Sequence, residues 1–285
     1  MNDEKLSLDQ IAAYHRDGFL IVKGLFDQEE IGLLRTACKA DKALDDHSFG
    51  KDDGSGATVR LSLWNHPGEG IYGMFARCHK LVDSVEQLLG GEEAYHYHSK
   101  MIMKDAKVGG AWAWHQDYGY WYQNGVMFPD LCSASIAVDR ATLENGCLQV
   151  LRGSHKLGRV DHVLTGDQAG ADLERVAEAK KRFELVHCTM EPGDVIFFHG
   201  NLLHASDRNN SDHPRWSMIC CYNYKRNDPY KEAHHPRYTP LKKVADEMIK
   251  QVGIKRFEDD SSNVAWLDTK KDASARVLKE KGAAS

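Results

Sequence analysis

No run of apolar residues in the 285-residue chain approaches the ~20 needed to cross a bilayer as a helix, so a membrane-spanning role is not expected. Positive charge is not in excess: 37 Lys and Arg against 42 Asp and Glu leave a net charge of −5, which offers no general attraction to nucleic acid or to an anionic membrane surface. The seven cysteines are odd in number and never occur as CxxC. A disulfide framework and a paired-thiol zinc site are both disfavoured, and reduced thiols in a cytoplasm are the simplest reading. Cys220 and Cys221 are adjacent, so on a strand they face opposite ways and cannot share a metal. The chain also lacks GxGxxG, a P-loop and a nucleophile elbow, as well as internal repeats and low-complexity segments. Met1 to Gln10 is polar and acidic, unlike a secretory leader.

What is present describes an ordinary globular protein, 42% hydrophobic and 28% charged, with enough residues for one large domain over 1–285. The first part, 1–94, reads as mostly helical. Ser7 caps a helix to Asp17, Asp27 caps a second to about Lys42, and Ile71 to Leu89 forms a third, ended by Gly90-Gly91. Gly18 to Gly24 and Thr58 to Trp64 read as strands, and the charged, glycine-rich Asp45 to Gly56 as a mobile loop. From Tyr95 the helical period gives way to short β-like runs: Tyr95–Met103, Ala111–Asp117, Ser133–Ala141, Cys147–Leu151, Val186–Met190, Val195–Phe198 and Arg215–Tyr224. Such a series over 95–226 suggests a jelly roll or barrel. The partly helical insert Val160 to Arg182 is placed to shape its mouth. Residues 227–285 read as a C-terminal helical extension with a lysine-rich, frayed end.

Two clusters carry chemistry. In Trp112-Ala113-Trp114-His115-Gln116-Asp117, His115 and Asp117 lie two apart, so on a strand they aim at one point. An imidazole and a carboxylate offered in that way supply two thirds of a facial triad, which suits non-haem Fe(II) because three positions stay open. Alone, HxD is weak. The second cluster adds Pro192-Gly193-Asp194 as a turn, a buried strand to Phe198, two histidines (His199 and His204), Ser206, and then Arg215 opening the last strand. An arginine there can clamp a dicarboxylate bidentately and Ser206 can donate to the same carboxylate, an arrangement that fits 2-oxoglutarate chelated to iron.

These pieces resemble the phytanoyl-CoA dioxygenase family of Fe(II)/2-oxoglutarate oxygenases, in the branch that includes ectoine hydroxylase. The resemblance runs from His98 to Tyr224, through His115-Gln116-Asp117, the stretch Asn145-Gly146-Cys147 to Arg152-Gly153-Ser154-His155-Lys156, and His204-Ala205-Ser206 with Arg215. It implies a mainly β, cupin-like fold with flanking helices, a double-stranded β-helix (jelly roll). It also implies Fe(II) as the metal, with 2-oxoglutarate and dioxygen as cosubstrates. Succinate and CO2 would leave as an unactivated carbon of a small-molecule metabolite is hydroxylated.

By the same resemblance the metal ligands are His115, Asp117 and His204, with His204 preferred to His199 because Ser206 and Arg215 follow it at the family's spacing. Arg215 and Ser206 are expected to hold the cosubstrate, with His98 and Arg60 as further contacts. Trp121 matches a tryptophan beside the family's iron centre, and Trp112 and Tyr118 add to an aromatic-lined mouth for substrate. Lys104 reads as a solvated strand-end residue and His155 as a structural one. Related halogenases replace the aspartate with a small residue, so Asp117 points to hydroxylation; desaturation, cyclisation and epimerisation share its first hydrogen abstraction. Gly119 and Tyr122 depart from the ectoine hydroxylase pattern, which argues against ectoine itself. An acyl-CoA or acyl-carrier substrate is the alternative within the family. A cupin-type metalloenzyme on Mn or Zn without 2-oxoglutarate is the alternative outside it, and a silent binding protein is a third; Arg215, Ser206 and the intact triad argue against both.

Overall fold

The computed structural model describes residues 6–54, 56–165, 168–254 and 264–272. Helix α1 (Leu8–Asp17) starts where Ser7 and Gln10 satisfy each other's backbone N–H groups in a capping box, and it ends at Gly18, whose φ of +83° turns the chain into β1 (Phe19–Val22). A second capping box, Asp27 with Glu30, opens α2 (Gln28–Ala40), and α3 (Lys42–Asp46) follows. The stretch expected as a mobile loop instead contains β2 (Phe49–Asp52), which pairs with β3 (Thr58–Trp64). The helix expected over Ile71–Leu89 is two, α4 (Ile71–Arg77) and α5 (His79–Leu88). The break at Cys78 is tertiary in origin: Val244 donates to Arg77 O and accepts from His79 N, claiming backbone groups that a continuous helix would use internally.

Then come β4 (Ala94–Lys104), β5 (Trp112–His115), α6 (Asp117–Trp121), β6 (Cys132–Ala137) and β7 (Leu148–Leu151). The insert contains β8 (His162–Thr165), β9 (Gln168–Ala171) and α7 (Leu173–Arg182), so a hairpin accompanies its helix. The chain continues through β10 (Leu185–Cys188), β11 (Val195–His199), β12 (His204–Ser206), β13 (Arg215–Tyr224) and α8 (Met248–Val252). Among the described residues of 227–285, the α-helix expected of a C-terminal extension is confined to the five-residue α8, and Pro229, Pro236 and Pro240 disfavour helix at the residue before each. The lysine-rich end lies beyond Asp272, outside the described residues.

Two sheets face each other, as a double-stranded β-helix requires. The larger has seven strands in the order β1-β11-β6-β13-β4-β3-β2, and the smaller has four, β10-β7-β12-β5. Because β1, β2 and β3 join the larger sheet, the jelly roll does not begin at residue 95. Strands buried on both faces read as continuous apolar runs, and β6 and β13 are buried throughout. Their alternate residues serve two different cores. Ala134, Ile136, Met218, Cys220 and Tyr222 pack outward, with Met101 and Met103, against Ile31, Leu34, Phe75 and Val85 of the helices. Each large side chain buried there contributes about 1.5–3 kcal/mol. The opposite face, with Ser135, Ser217, Ile219 and Cys221, looks toward the small sheet and the site. Opposed orientations of Cys220 and Cys221 follow from the same alternation.

Candidate metal centre and its two cavities

β12 pairs antiparallel with β5 so that His204 lies opposite His115, and the two imidazoles sit with ring centroids 4.0 Å apart. Asp117 does not continue the strand as the alternation suggested. Gln116 is the extended N-cap (φ −114°, ψ 134°) and Asp117 the first residue of α6. One extended residue between the two ligands still brings them to one side. His115 Nε2 and His204 Nε2 lie 3.7 and 3.9 Å from Asp117 Oδ1, and the three donor atoms fall within 4.8 Å of one another.

The tautomers are fixed by the backbone. His115 Nδ1 donates to Ala113 O (2.8 Å) and His204 Nδ1 to Leu202 O (2.9 Å), leaving both Nε2 lone pairs aimed at the common point. Burial holds both imidazoles below the ordinary histidine range, in the neutral form a metal needs. Asp117 Oδ2 accepts from Ser133 Oγ (2.8 Å), which leaves Oδ1 to face the histidines. Two neutral imidazoles and one carboxylate, buried and convergent, are a donor set suited to non-haem Fe(II).

Gln116, between the ligands, is fully buried and fully satisfied. Its Nε2 donates to Gly158 O and Asn201 O, and its Oε1 accepts from Val160 N. It ties the turn to the insert and to the loop before His204. His162 completes that tie by accepting from Gln116 N (3.0 Å), and its ring occupies the space above Gly119, where a Cβ would come within 2.0 Å of the imidazole. Gly119 departs from the ectoine hydroxylase pattern because a histidine of the insert packs there. His199 serves elsewhere: its Nδ1 accepts from Asn201 N and its Nε2 lies 3.6 Å from Asp130. His155 is structural, with Nε2 donating to His15 O.

Two cavities meet at the triad. The narrower runs between the sheets from His115 and His204 to Arg215, with Ser206, Ser217 and Ser135 as polar lining and Ile102, Leu148, Met190, Phe198 and Ile219 as apolar walls. Arg215 is buried, no carboxylate pairs with it among the described residues, and its Nε has no hydrogen-bond partner. Burial lowers its pKa to about 10, so it stays charged at neutral pH. A buried cation of that kind is costly unless an anion completes it. A five-carbon dicarboxylate spans the required layout, with one carboxylate on the guanidinium and its oxo-acid end at the triad.

The wider cavity, about 300 Å³, opens from His115 and Asp117 between Trp112, Tyr120 and Trp121. His98 lines this mouth, not the Arg215 cavity, because it stands two residues before Lys100 on the inward face of β4, beside Trp121; a bulge at Tyr97 turns that residue inward as well. Tyr118 is not in the wall. Its hydroxyl donates to the carbonyls of Met127 and Val126, and its ring joins a buried cluster. The helical spacing of α6 puts Asp117, Tyr120 and Trp121 on one side and Tyr118 on another. Gln168 and Ala169 of the insert line the mouth, as that segment's position suggested.

Arg60 lies on the far face of β3 from Leu61 and Leu63, which line the mouth. It pairs with Asp45 and, at 3.4 Å, with Asp105, both partly exposed. Arg60→Ala is therefore expected to leave the KM for 2-oxoglutarate within about twofold of wild type in a succinate assay, and to cost less than about 1 kcal/mol of stability.

Two lysines carry more than their sequence context suggested. Lys104, expected to be solvated, is fully buried opposite Arg215, with its amine donating to Asp207 O. Lys100 lines both cavities, with Nζ 3.8 Å from Asp117 Oδ1. The signal that could have found it was alternation: His98, Lys100 and Ile102 share the inward face.

Fold and site together define a non-haem iron, 2-oxoglutarate-dependent dioxygenase built on a double-stranded β-helix. The model of the phytanoyl-CoA dioxygenase (PhyH) family matches residues 14–217, and the chain belongs to that family. It is 30% identical over 245 residues to an L-proline trans-4-hydroxylase of Streptomyces griseoviridis, covering 80% of this chain and 91% of that protein. Among solved structures, EctD from S. alaskensis with 2-oxoglutarate and 5-hydroxyectoine is 28% identical, with a TM-score of 0.68 and 86% of each chain covered. The same protein with bound Fe gives a TM-score of 0.70 at 26% identity, over 86% of this chain and 89% of that one.

Proposed function

We propose that the protein hydroxylates an unactivated carbon of a small-molecule metabolite, with His115, Asp117 and His204 holding Fe(II) and Arg215 and Ser206 holding the distal carboxylate of 2-oxoglutarate. Trp112 and Trp121 belong to the substrate wall in this reading. One observation carries it: a single cavity joins both histidines of the convergent triad to a buried guanidinium with no carboxylate partner among the described residues. An iron held there supplies the oxidation, one atom of dioxygen ending in succinate as 2-oxoglutarate loses CO2 and the other in the substrate hydroxyl. Asp117 fills the position a halide would need, which favours hydroxylation. Arg215 and Ser206 fix the cosubstrate's direction, and the aromatic mouth keeps bulk water from the reacting carbon.

The mouth is at the small end of ligand sites, about 300 Å³, which favours a metabolite over a coenzyme A thioester. The mouth draws on β2 and β3, on the insert and on the C-terminal end of the described chain, which supports one catalytic domain. A cytoplasmic setting is supported by seven free, buried cysteines. Among the described residues no helix is long and apolar enough to cross a membrane.

Purified protein given Fe(II), 2-oxoglutarate and a pool of small metabolites is expected to form succinate together with a product 16 Da heavier than one pool member. No succinate from protein shown to bind both iron and 2-oxoglutarate would refute the assignment.

A further inference from the structure

The insert does more than shape the mouth. β5 stands at the edge of the smaller sheet, with one row of backbone groups facing away from β12. A side chain of the insert meets that row: Gln168 Oε1 accepts from Ala113 N (2.8 Å) and its Nε2 donates to Ala111 O (2.9 Å). The Ala113 residue so held offers its carbonyl to His115 Nδ1, the bond that aims Nε2 at the metal point. Gln168 is buried in the mouth wall, and its amide cannot turn without breaking both bonds.

Asp117 is reached by a second side chain of the insert. Gln116 N, between the two ligands, donates to His162 Nε2 (3.0 Å). His162 Nδ1 donates to Val160 O (2.9 Å), which fixes the tautomer whose Nε2 accepts. The helix that Asp117 opens has no side-chain N-cap bond, and the imidazole fixes its entry from outside.

His204 is reached through Gln116 itself. Its Nε2 donates to Asn201 O (2.8 Å), one residue before Leu202, whose carbonyl fixes His204 Nδ1. The same side chain is anchored on the root of the insert, donating to Gly158 O and accepting from Val160 N. All three metal donors are therefore braced, at one remove, from the insert and its root. Space agrees with the bonding. A Cβ at position 119 would meet the His162 ring at 2.0 Å, and that ring is bonded at both nitrogens.

We propose that the insert is a clamp on the iron site, with Gln168, His162 and Gln116 as positioning residues that keep His115, Asp117 and His204 convergent. The proposal rests on the iron assignment above and deepens it.

The test is anaerobic Fe(II) titration, with the visible spectrum of Co(II)-substituted protein reporting ligand number and geometry. Outer partners of metal ligands are worth about 10- to 100-fold in affinity, so His162→Leu is expected to weaken Fe(II) at least tenfold and to alter the cobalt spectrum. Gln168→Leu, titrated without substrate, is expected to do the same. His162→Gln, whose side-chain oxygen can take the place of Nε2, should restore most of the affinity and the wild-type spectrum. Gly119→Ala removes no hydrogen-bonding group, yet should weaken Fe(II) at least tenfold by pushing His162 aside. In a His162→Ala background the same methyl has room and should cost nothing further, a non-additivity that decides the matter even if His162→Leu does not fold.

Wild-type iron affinity in His162→Leu or Gln168→Leu, no recovery in His162→Gln, or additive losses from Gly119→Ala and His162→Ala each overturns the proposal. Wild-type protein that takes up no Fe(II) defeats the metal assignment, whereas equal uptake by wild type and every variant defeats only the clamp.

Discussion

His204→Ala is expected to weaken Fe(II) binding by on the order of 100-fold or more, and succinate formation should disappear with it. Changes to outer partners of a metal site alone cost about 10- to 100-fold, and His204 supplies a donor atom outright. Its Nε2 is 3.9 Å from Asp117 Oδ1, and its Nδ1 is committed to Leu202 O, so no rotation of another histidine replaces it. The remaining pair, His115 and Asp117, leaves a two-ligand site without the facial geometry. His199 is the internal control, since it is close in sequence but engaged by Asn201 and Asp130. Anaerobic Fe(II) titration of His204→Ala and His199→Ala separates the two assignments. Loss of iron in the His199 variant with retention in the His204 variant would place the third ligand wrongly.

The contrast between what was and was not legible in the chain follows from how each residue is positioned. His115, Asp117, His204, Ser206 and Arg215 stand in short linear motifs whose order the fold preserves, so the family resemblance of those motifs sufficed to group them. Even so, the local reading was imperfect, because Asp117 begins a helix and β12 is only three residues long. Arg60 and Tyr118 were misjudged because composition says nothing of facing: one residue of slip on β3, or one on α6, moves a side chain from the cavity to the opposite side. His98 faces inward as alternation requires, but its place along β4, two residues before Lys100, sets it in the mouth and not in the Arg215 cavity. Lys104 reads from its context as a solvated lysine and Lys100 carries no motif, although the period-two pattern of β4 includes both on the inward face. His234, His235 and Asp272 had no local signal at all. They reach the mouth because a proline-rich, irregular segment docks on Asn65 and the end of β3, a tertiary event.

Arg215→Ala is expected to raise the KM for 2-oxoglutarate by roughly 30- to 5000-fold, the equivalent of about 2–5 kcal/mol for truncating one partner of a buried, hydrogen-bonded charge pair. Arg215→Lys should recover part of this, because an ammonium carries the charge but not the planar fork that grips a carboxylate with two parallel bonds. The competing explanation is a structural arginine, and stability separates the two. Arg215 has no carboxylate partner among the described residues, and burial already works against its charge. Removing it from ligand-free protein takes away an uncompensated buried cation, so Arg215→Met is expected to leave the melting temperature unchanged or raised. Saturating 2-oxoglutarate should then stabilise the wild type and not the Met variant, since only a native state that binds ligand gains from it. Melting curves with and without 2-oxoglutarate, beside the KM series, decide the matter. An unchanged KM in Arg215→Ala, or a large drop in the melting temperature of ligand-free Arg215→Met, would show that the guanidinium serves the fold and not the cosubstrate.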